Sequence, residues 1–247
     1  MPARKIKLTI QYDGSGFYGW QTQPGFKTIQ ETLNKVVSTL VGRKVTVHGA
    51  SRTDAGVSAL GQVGLIEVDS PIPTENFPKA ISDRLPAEIV VTEAVEVDKK
   101  FDLINDVKSK LYRYTIYNGR YRPVLEINRC WHIPARLNVD AMNEAAKLLV
   151  GTKDFKSFAS AKDNRESTIR TIFRCEARGE EDWIYIDTEG DGFLYNMARN
   201  IAGTLVDIGL GRRQPEKMQE ILEAREHTAA GQIAPAEGLC LMWIKYS

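Results

Sequence analysis

Cysteine, histidine and long apolar segments are all scarce in this sequence, and each scarcity excludes a class of protein. The three cysteines, Cys130, Cys175 and Cys240, are widely spaced and form no Cys-x-x-Cys pair, which argues against a disulfide framework or a zinc site. The three histidines are isolated from one another. No apolar run reaches the roughly eighteen residues of a membrane helix, and the N-terminus lacks the pattern of a signal peptide. We therefore expect a cytoplasmic protein with no metal and no membrane partner.

An excess of charge of one sign is also missing, because 33 Lys and Arg face 32 Asp and Glu, for a net charge of +1. The charges are unevenly distributed along the chain, however. Residues 67–106 hold ten acids and four bases, whereas residues 107–136 hold seven bases and one acid. A nearly neutral protein with such a basic segment can present a phosphate-binding face. A solvated surface of paired charges explains the pattern equally well.

Hydrophobic periodicity predicts an α+β protein built from two similar halves. The predicted strands cover residues 5–12, 45–47, 63–68, 89–97, 111–117, 168–177, 183–188 and 239–245. The predicted helices cover residues 28–42, 74–84, 138–150 and 195–208, with Thr28, Thr74 and Asn138 as N-caps. The halves are residues 1–106 and 107–247, and in each we expect a mostly antiparallel sheet flanked by helices.

Three glycines after the first strand, Gly14, Gly16 and Gly19, match the GxGxxG spacing of dinucleotide-binding loops. That chemistry requires a helix to begin in the loop, so that its N-terminus meets the pyrophosphate. Here the next helix begins only at Thr28, and Phe17 adds bulk where a phosphate would lie. We interpret the segment as a loop that lines the substrate.

The segment ASRTDAGVSALGQV, residues 50–63, contains the first candidate for chemistry. Asp54 follows a strand and lies in a glycine-flanked loop. Such an aspartate often only bonds its own backbone in an Asx turn. It can also be presented into a cleft as a nucleophile or general base. The sequence argues against an aspartic protease, because the chemistry needs a second matching carboxylate and the surroundings of Asp191 do not match.

Two further motifs in the second half carry candidate residues. Arg199 lies beside Asn200 on the helix predicted over residues 195–208. A solvated surface arginine is the commoner situation, but beside a buried carboxylate it would keep that carboxylate ionised. Tyr112 and Tyr114 lie two residues apart on a strand and share a face. Before other information, a half-buried aromatic pair is the simpler interpretation.

Taken together and in order, these motifs resemble the tRNA pseudouridine synthase A family over nearly the whole chain. The matching segments are QYDGSGFYGWQ, TIQETL, SRTDAGV, KLYRYTIYN, GTKDFKSF, FLYNMARNIAGTL and APAEGLCL. The resemblance implies the pseudouridine synthase fold with an active-site cleft between the halves. It implies a cofactor-free homodimer that binds tRNA and isomerises uridine to pseudouridine at positions 38, 39 and 40 of the anticodon stem-loop.

The resemblance also implies the roles of individual residues. Asp54 is then the catalytic carboxylate, Arg199 its ion-pair partner, and Tyr112 the ring that stacks on the target uracil. The residues expected to bind substrate are Tyr112, Arg52, Asp13, Gly19, Trp20, Gln21 and Asn200. The sequence departs from the family pattern at Ser51 and Ser58, where Gly and His are frequent.

Two other functions are alternatives to this one. A non-catalytic RNA-binding module would need the basic segment and the aromatic residues but not Asp54. A uridine methyltransferase would need a nucleophilic cysteine in a polar loop and a methyl-donor site. The sequence shows neither feature, and Cys240, in an apolar run, is interpreted as a buried and unreactive thiol.

Overall fold

The computed structural model describes residues 3–246, and contacts divide the chain into two compact units. The first unit runs to Lys108 and includes the C-terminal segment from Cys240, whereas the second is Ser109–Leu239. This grouping differs from a single division at residue 106, because the last strand pairs with a strand of the first unit. Each unit combines helices with a mostly antiparallel sheet, which confirms the predicted α+β class.

In the first unit, four strands are ordered β4-β1-β3-β10. They span Arg4–Tyr12 (β1), Ser58–Val68 (β3), Ile89–Val97 (β4) and Leu239–Tyr246 (β10), and a short strand, His48–Gly49 (β2), pairs with β3. The β1 strand pairs antiparallel with both β3 and β4, and β10 pairs parallel with β3. Alternate residues Ile6, Leu8 and Ile10 are fully buried, as the period of two predicts.

Helix α1, Ile29–Val41, begins and ends where the sequence predicts. The Thr28 hydroxyl accepts a hydrogen bond from the Glu31 N–H at 3.3 Å, and Gly42 ends the helix in the left-handed conformation at φ 72°. Leu33 and Val37 of this helix are fully buried. The predicted capping and apolar stripe are therefore confirmed.

Two local predictions in the first unit are wrong. Residues 45–47 form no strand, because side chains of α1 accept hydrogen bonds from their backbone N–H groups. The Val47 N–H donates to the Asn34 side-chain amide oxygen at 2.7 Å, and the Val45 N–H donates to the Ser38 hydroxyl at 2.9 Å. Thr74 does not cap a long helix. It begins a single 3₁₀ turn before helix α2, Phe77–Ser82, and its hydroxyl accepts from Arg4 at 3.2 Å.

In the second unit, four antiparallel strands are ordered β5-β9-β8-β7. They span Val107–Tyr117 (β5), Gly151–Asp154 (β7), Ile169–Glu180 (β8) and Trp183–Gly190 (β9), and β6, Trp131–His132, pairs parallel with β5. The helices are Val139–Lys147 (α3), Met197–Gly209 (α4) and Lys217–Ala224 (α5). Helix α3 ends three residues before the predicted Val150, and Gly151 already belongs to β7.

The cysteines differ in burial. Cys130 and Cys175 are buried, and burial raises their pKa values to about 11 and about 12, which disfavours the nucleophilic thiolate. Cys240 is partly exposed, so the prediction that its thiol is buried is wrong. The reason is strand alternation: its neighbours Leu239 and Leu241 point to the buried face of β10.

Within residues 3–246, no helix is both long and apolar enough to cross a membrane. Across the same residues, no group of three or more His, Cys, Asp or Glu side chains is arranged to hold a metal ion.

Candidate active site

Asp54 lies in the loop between β2 and β3, where it is partly exposed. Its carbonyl accepts from the Val57 N–H at 3.1 Å, which closes a tight turn. A second loop, which follows β1, is hydrogen-bonded to this one. The Trp20 N–H donates to the Thr53 carbonyl at 3.0 Å, and the Gly56 N–H donates to the Phe17 carbonyl at 3.2 Å. The aspartate is therefore presented on a loop held by backbone hydrogen bonds on both sides.

Glycine allows the two loops to approach this closely. Gly19 adopts φ +78°, and a Cβ there would lie 2.6 Å from the Thr53 carbonyl oxygen and 3.0 Å from the Asp54 carbonyl carbon. A Cβ at Gly14 would overlap the Val57 carbonyl. These glycines are needed because backbone lies where a side chain would begin. The spacing of Gly14 and Gly19 in the sequence is therefore explained by the close packing of the two loops.

A buried polar network fixes the Asp54 loop from the side of the sheet. Gln62 is fully buried, and its amide donates to the Ser51 carbonyl at 2.8 Å and accepts from the Ser51 N–H at 3.2 Å. The same amide donates to the Tyr12 hydroxyl at 3.3 Å, which lies 2.8 Å from the Thr53 hydroxyl. Ser51 and Thr53 flank Arg52, so the network restrains the backbone leading into Asp54.

The residues predicted to line the substrate occupy different environments in the first unit. Arg52 and Gln21 are exposed, and the Gln21 side-chain amide donates to the side-chain amide oxygen of Gln30 at 2.8 Å. Asp13 is partly exposed and accepts from the Ser15 N–H at 3.0 Å in an Asx turn. Trp20 is only 1% exposed, and its ring packs against Gly49. Arg52, Gln21 and Asp13 thus reach the surface, whereas Trp20 is part of the core.

Tyr112 lies on β5 in the second unit and is 7% exposed. Its ring meets Phe193 edge to face, with centroids 4.9 Å apart. Tyr114, on the same face of the strand, is 1% exposed and donates its hydroxyl proton to the Pro235 carbonyl at 2.8 Å. Burial raises the pKa of Tyr114 far above its ordinary value. Tyr114 is therefore a structural residue, while Tyr112 is held in one orientation at an aromatic contact.

Arg199 lies in the first turn of α4, and its guanidinium is oriented by the protein. Its Nε donates to the Ala234 carbonyl at 2.8 Å, and one Nη donates to the Asn196 amide oxygen at 3.4 Å. Asn196 precedes the helix in the left-handed conformation at φ 64°. The neighbouring Asn200 donates its amide to the Phe158 carbonyl at 2.8 Å. Arg199 is thus a partly buried, preorganised cation.

Sequence reasoning missed the supporting role of Gln62. Gln62 is a polar residue within residues 59–66 of β3, which are otherwise apolar, and that contrast was the available signal. Lys110, which the sequence places in the basic segment, lies two residues before Tyr112 on the same face of β5. Arg113, counted with the basic segment, instead makes a bidentate ion pair with the buried Asp187 at 2.7 and 2.8 Å.

Comparison with known proteins agrees with this architecture. A family model described as tRNA pseudouridine synthase matches residues 8–104 and 145–247. The chain belongs to the tRNA pseudouridine synthase family, a family of isomerases.

Among its relatives, proteins named tRNA pseudouridine synthase A are similar over the full length. The protein of Ruminiclostridium cellulolyticum is 43% identical over 244 residues, which cover 98% of this chain and 100% of the relative. Those of Caldicellulosiruptor bescii and Acetivibrio thermocellus are 42% and 41% identical over 243 residues, with the same coverage.

Proposed function

We propose that this protein converts uridine to pseudouridine at positions 38, 39 and 40 of the tRNA anticodon stem-loop, with Asp54 as the catalytic carboxylate. The observation that supports this proposal most strongly is the set of contacts that hold the Asp54 loop in place. Two glycine-dependent loops and the buried Gln62 amide hold a partly exposed carboxylate in place. A carboxylate with no role in chemistry does not require such positioning, whereas a nucleophile depends on it.

The reaction needs no redox partner and no group donor, because it rearranges atoms within one nucleotide. The N1–C1′ bond breaks, the uracil rotates, and a C5–C1′ bond forms. The proton on C5 leaves, and N1 gains a proton. An anionic Asp54 serves each of three routes: covalent attack at C6, covalent attack at C1′, or assistance to glycosidic cleavage without a covalent bond. We propose that Arg199 keeps Asp54 anionic and supports the charge that moves during the reaction.

Tyr112 fits the role of a stacking platform for the extruded base. Flipping a base out of its stack costs roughly a few kcal/mol, and stacking on an aromatic ring offsets about 1–3 kcal/mol of that cost. The edge-to-face contact with Phe193 holds the Tyr112 ring in one orientation. The ring therefore loses little conformational freedom when the uracil arrives.

The other predicted substrate residues divide into two proposed roles. Arg52, Asp13 and Gln21 reach the surface and are proposed to line the RNA, together with Asn200 at the start of α4. Gly19 and Trp20 face the Asp54 loop and the core. We propose that these two act on the RNA through the position of that loop.

From the same resemblance we propose that the protein acts as a homodimer in the cytoplasm. Exposed apolar side chains support a protein contact, since monomers seldom leave such patches uncovered. In residues 121–127, Tyr121 and Val124 are 74% exposed and Leu125 is 90% exposed. The molecular mass in solution, measured by sedimentation equilibrium, should be twice that of the chain.

The function is tested by incubating the purified protein with a panel of unmodified tRNAs and no added cofactor. Pseudouridine has the same mass as uridine, so products are mapped by carbodiimide labelling and by release of tritium from C5. We expect pseudouridine at positions 38 to 40 wherever a uridine is present. Binding without conversion would identify an RNA-binding module, and a mass gain of one methyl group with an added donor would identify a methyltransferase.

Gly19→Ala tests whether loop positioning matters for the chemistry. The new Cβ must displace the Thr53 carbonyl and the backbone of Asp54. A displacement of about 1 Å lowers a rate by roughly 10²-fold, so kcat should fall by about that factor while tRNA affinity changes little. Single-turnover kinetics and a binding isotherm separate the two quantities.

The matched control is Gly16→Ala in the same loop, because a Cβ there meets no atom within 4 Å. It should retain kcat within about twofold, as expected for a surface substitution without a packing conflict. Equal losses in the two variants would contradict the positioning role of Gly19.

A further inference from the structure

We infer that Tyr18 and Phe26 form an aromatic platform on which an unpaired base of the RNA, other than the target uridine, stacks. This inference rests on the proposed function, since it names a further contact between the same site and its RNA. The platform lies in the loop between β1 and α1, and the residues that support it all belong to the first unit.

The first observation is the position of Tyr18 in that loop. The carbonyl of the residue before it, Phe17, accepts from the Gly56 N–H at 3.2 Å. The residue after it, Gly19, lies against the backbone of Asp54. Because consecutive Cα atoms are only about 3.8 Å apart, Tyr18 is held beside the loop that carries the proposed catalytic carboxylate.

The second observation is that the aromatic side chains of this loop differ sharply in burial. Phe17 and Trp20 are buried in the core, whereas Tyr18 is 54% exposed and Phe26 is 41% exposed. The two exposed rings contact each other, with centroids 4.3 Å apart and planes inclined by 37°. Phe26 thus covers one side of the Tyr18 ring, and more than half of the Tyr18 side chain stays open to a further ring.

Backbone hydrogen bonds hold the two rings together. The Tyr18 N–H donates to the Lys27 carbonyl at 2.9 Å. The Phe26 N–H donates to the Gln23 carbonyl at 3.2 Å, and Gly25 within this turn adopts φ +80°. The platform is therefore formed before the RNA arrives, so that stacking costs little ordering of the protein.

A single nucleobase fits this platform better than a protein partner does. The neighbouring exposed side chains are polar, namely Gln21, Thr22 and Gln23. A protein contact needs a wider apolar patch, whereas one base needs only one exposed aromatic face. Lys27 and Glu88 compensate each other at 3.8 Å, so the platform itself offers stacking and no net charge. Arg52, exposed on the Asp54 loop, suits a phosphate beside the stacked base.

The test measures binding of a synthetic, unmodified anticodon stem-loop RNA in which one loop nucleotide at a time lacks its base. All phosphates are kept, so contacts to the RNA backbone are retained. In the unchanged protein, removing the base at one position other than the target should weaken binding by roughly tenfold, as expected for one base–aromatic stack. Tyr18→Leu should weaken binding of the native RNA by a similar factor. At that position the missing base should then cause no further loss, because the contact is already absent.

Three variants sharpen the result. Tyr18→Phe keeps the aromatic face and should keep both the affinity and the sensitivity at that position. Phe26→Leu removes the supporting ring and should cause a smaller loss in the same direction. The matched control is Phe173→Leu on β8 of the second unit, where another half-exposed aromatic ring is replaced by leucine. This control should bind the native RNA like the unchanged protein.

A fluorescent purine analogue at the sensitive position reports stacking directly, which a purely structural role of Tyr18 would not change. Its emission should be quenched in complexes with the unchanged protein and with Tyr18→Phe, but should stay high in the complex with Tyr18→Leu at saturating protein.

Steady-state kinetics give a separate readout. The stack forms equally with the substrate and with the transition state, so Tyr18→Leu should raise KM by about tenfold and change kcat less. The adjacent Gly19→Ala is expected to show the opposite pattern, because it displaces the Asp54 loop.

The inference is overturned if no position other than the target is sensitive in the unchanged protein, a result that requires no variant. It is also overturned if Tyr18→Leu and Phe26→Leu both fold, as checked by thermal unfolding, and keep the sensitivity and the quenching of the unchanged protein. A fall in the solution mass of Tyr18→Leu without any change in RNA binding would overturn it too, and would assign the rings to a contact between copies of the chain.

These outcomes are distinguishable from a failure of the proposed function. If the platform is overturned while the unchanged protein makes pseudouridine, the proposed function stands. Conversely, sensitivity and quenching that depend on Tyr18, without any pseudouridine, would support the platform and contradict the proposed function.

Discussion

Asp54→Asn should reduce pseudouridine formation below detection while tRNA binding persists. The amide keeps the size of the side chain but cannot act as an anionic nucleophile. The loss should therefore exceed the roughly 10²–10⁴-fold usually assigned to a general acid–base group. Binding should survive, because contacts from Lys and Arg to phosphates provide most of the affinity for nucleic acid. Removing one negative charge near RNA should even tighten binding slightly.

The fold should survive this substitution. Arg199 keeps its bonds to the Ala234 carbonyl and to Asn196 whichever residue stands at position 54. Thermal unfolding, tRNA binding and activity are to be measured on the same sample. If the variant folds, binds tRNA and still makes pseudouridine at an appreciable rate, Asp54 is not the catalytic residue. If it unfolds, Asp54→Asn combined with Arg199→Gln removes both charges and repeats the test.

Arg113→Met should lower the free energy of unfolding by about 3–5 kcal/mol, because it leaves a buried charge without its partner. Arg113 and Asp187 lie directly opposite each other on β5 and β9 and are joined by two hydrogen bonds. The Asp187 side chain is 3% exposed, so water cannot replace the lost guanidinium. Methionine keeps most of the apolar stem, which isolates the loss of charge. Urea denaturation measures the effect.

Two further variants control this prediction. Arg178 lies over the same Tyr185 ring as Arg113, but it pairs with the exposed Glu180, so Arg178→Met should cost at most about 1 kcal/mol. Arg113→Met combined with Asp187→Leu replaces both charges by apolar groups and should recover most of the stability. If Arg113→Met alone is as stable as the unchanged protein, the Arg113–Asp187 ion pair contributes nothing to the free energy of unfolding.

Local patterns predicted the elements whose stabilising contacts lie within a few residues. The α1 helix was predicted because its capping residues, Thr28 and Gly42, are adjacent to its ends. Strand β1 was predicted because the alternation of apolar and polar residues requires only that one face of the strand is buried. Residues 45–47 were mispredicted because the side chains of Asn34 and Ser38, about ten residues away, hold their backbone. Intrinsic strand preference is weaker than such hydrogen bonds.

For the candidate site, residue types were predictable but their surroundings were not. Asp54, Tyr112 and Arg199 belong to motifs that identify the family, and their catalytic roles remain predictions. Gln62 could not be assigned from its neighbours, since it contacts Tyr12, fifty positions away. Arg113 was grouped with the RNA-binding bases because the sequence does not show that Asp187 lies opposite it.

The sequence by itself thus determined the α+β class, the family and the candidate residues, because these depend on local periodicity and on the order of motifs. The tertiary structure decided which side chains hold the Asp54 loop in place and which charged groups form ion pairs. It placed the carbonyl of Thr53 against Gly19 and Asp187 against Arg113. The physical reason is that strand register and loop packing bring together groups far apart along the chain, and the burial and charge of each group depend on those distant neighbours.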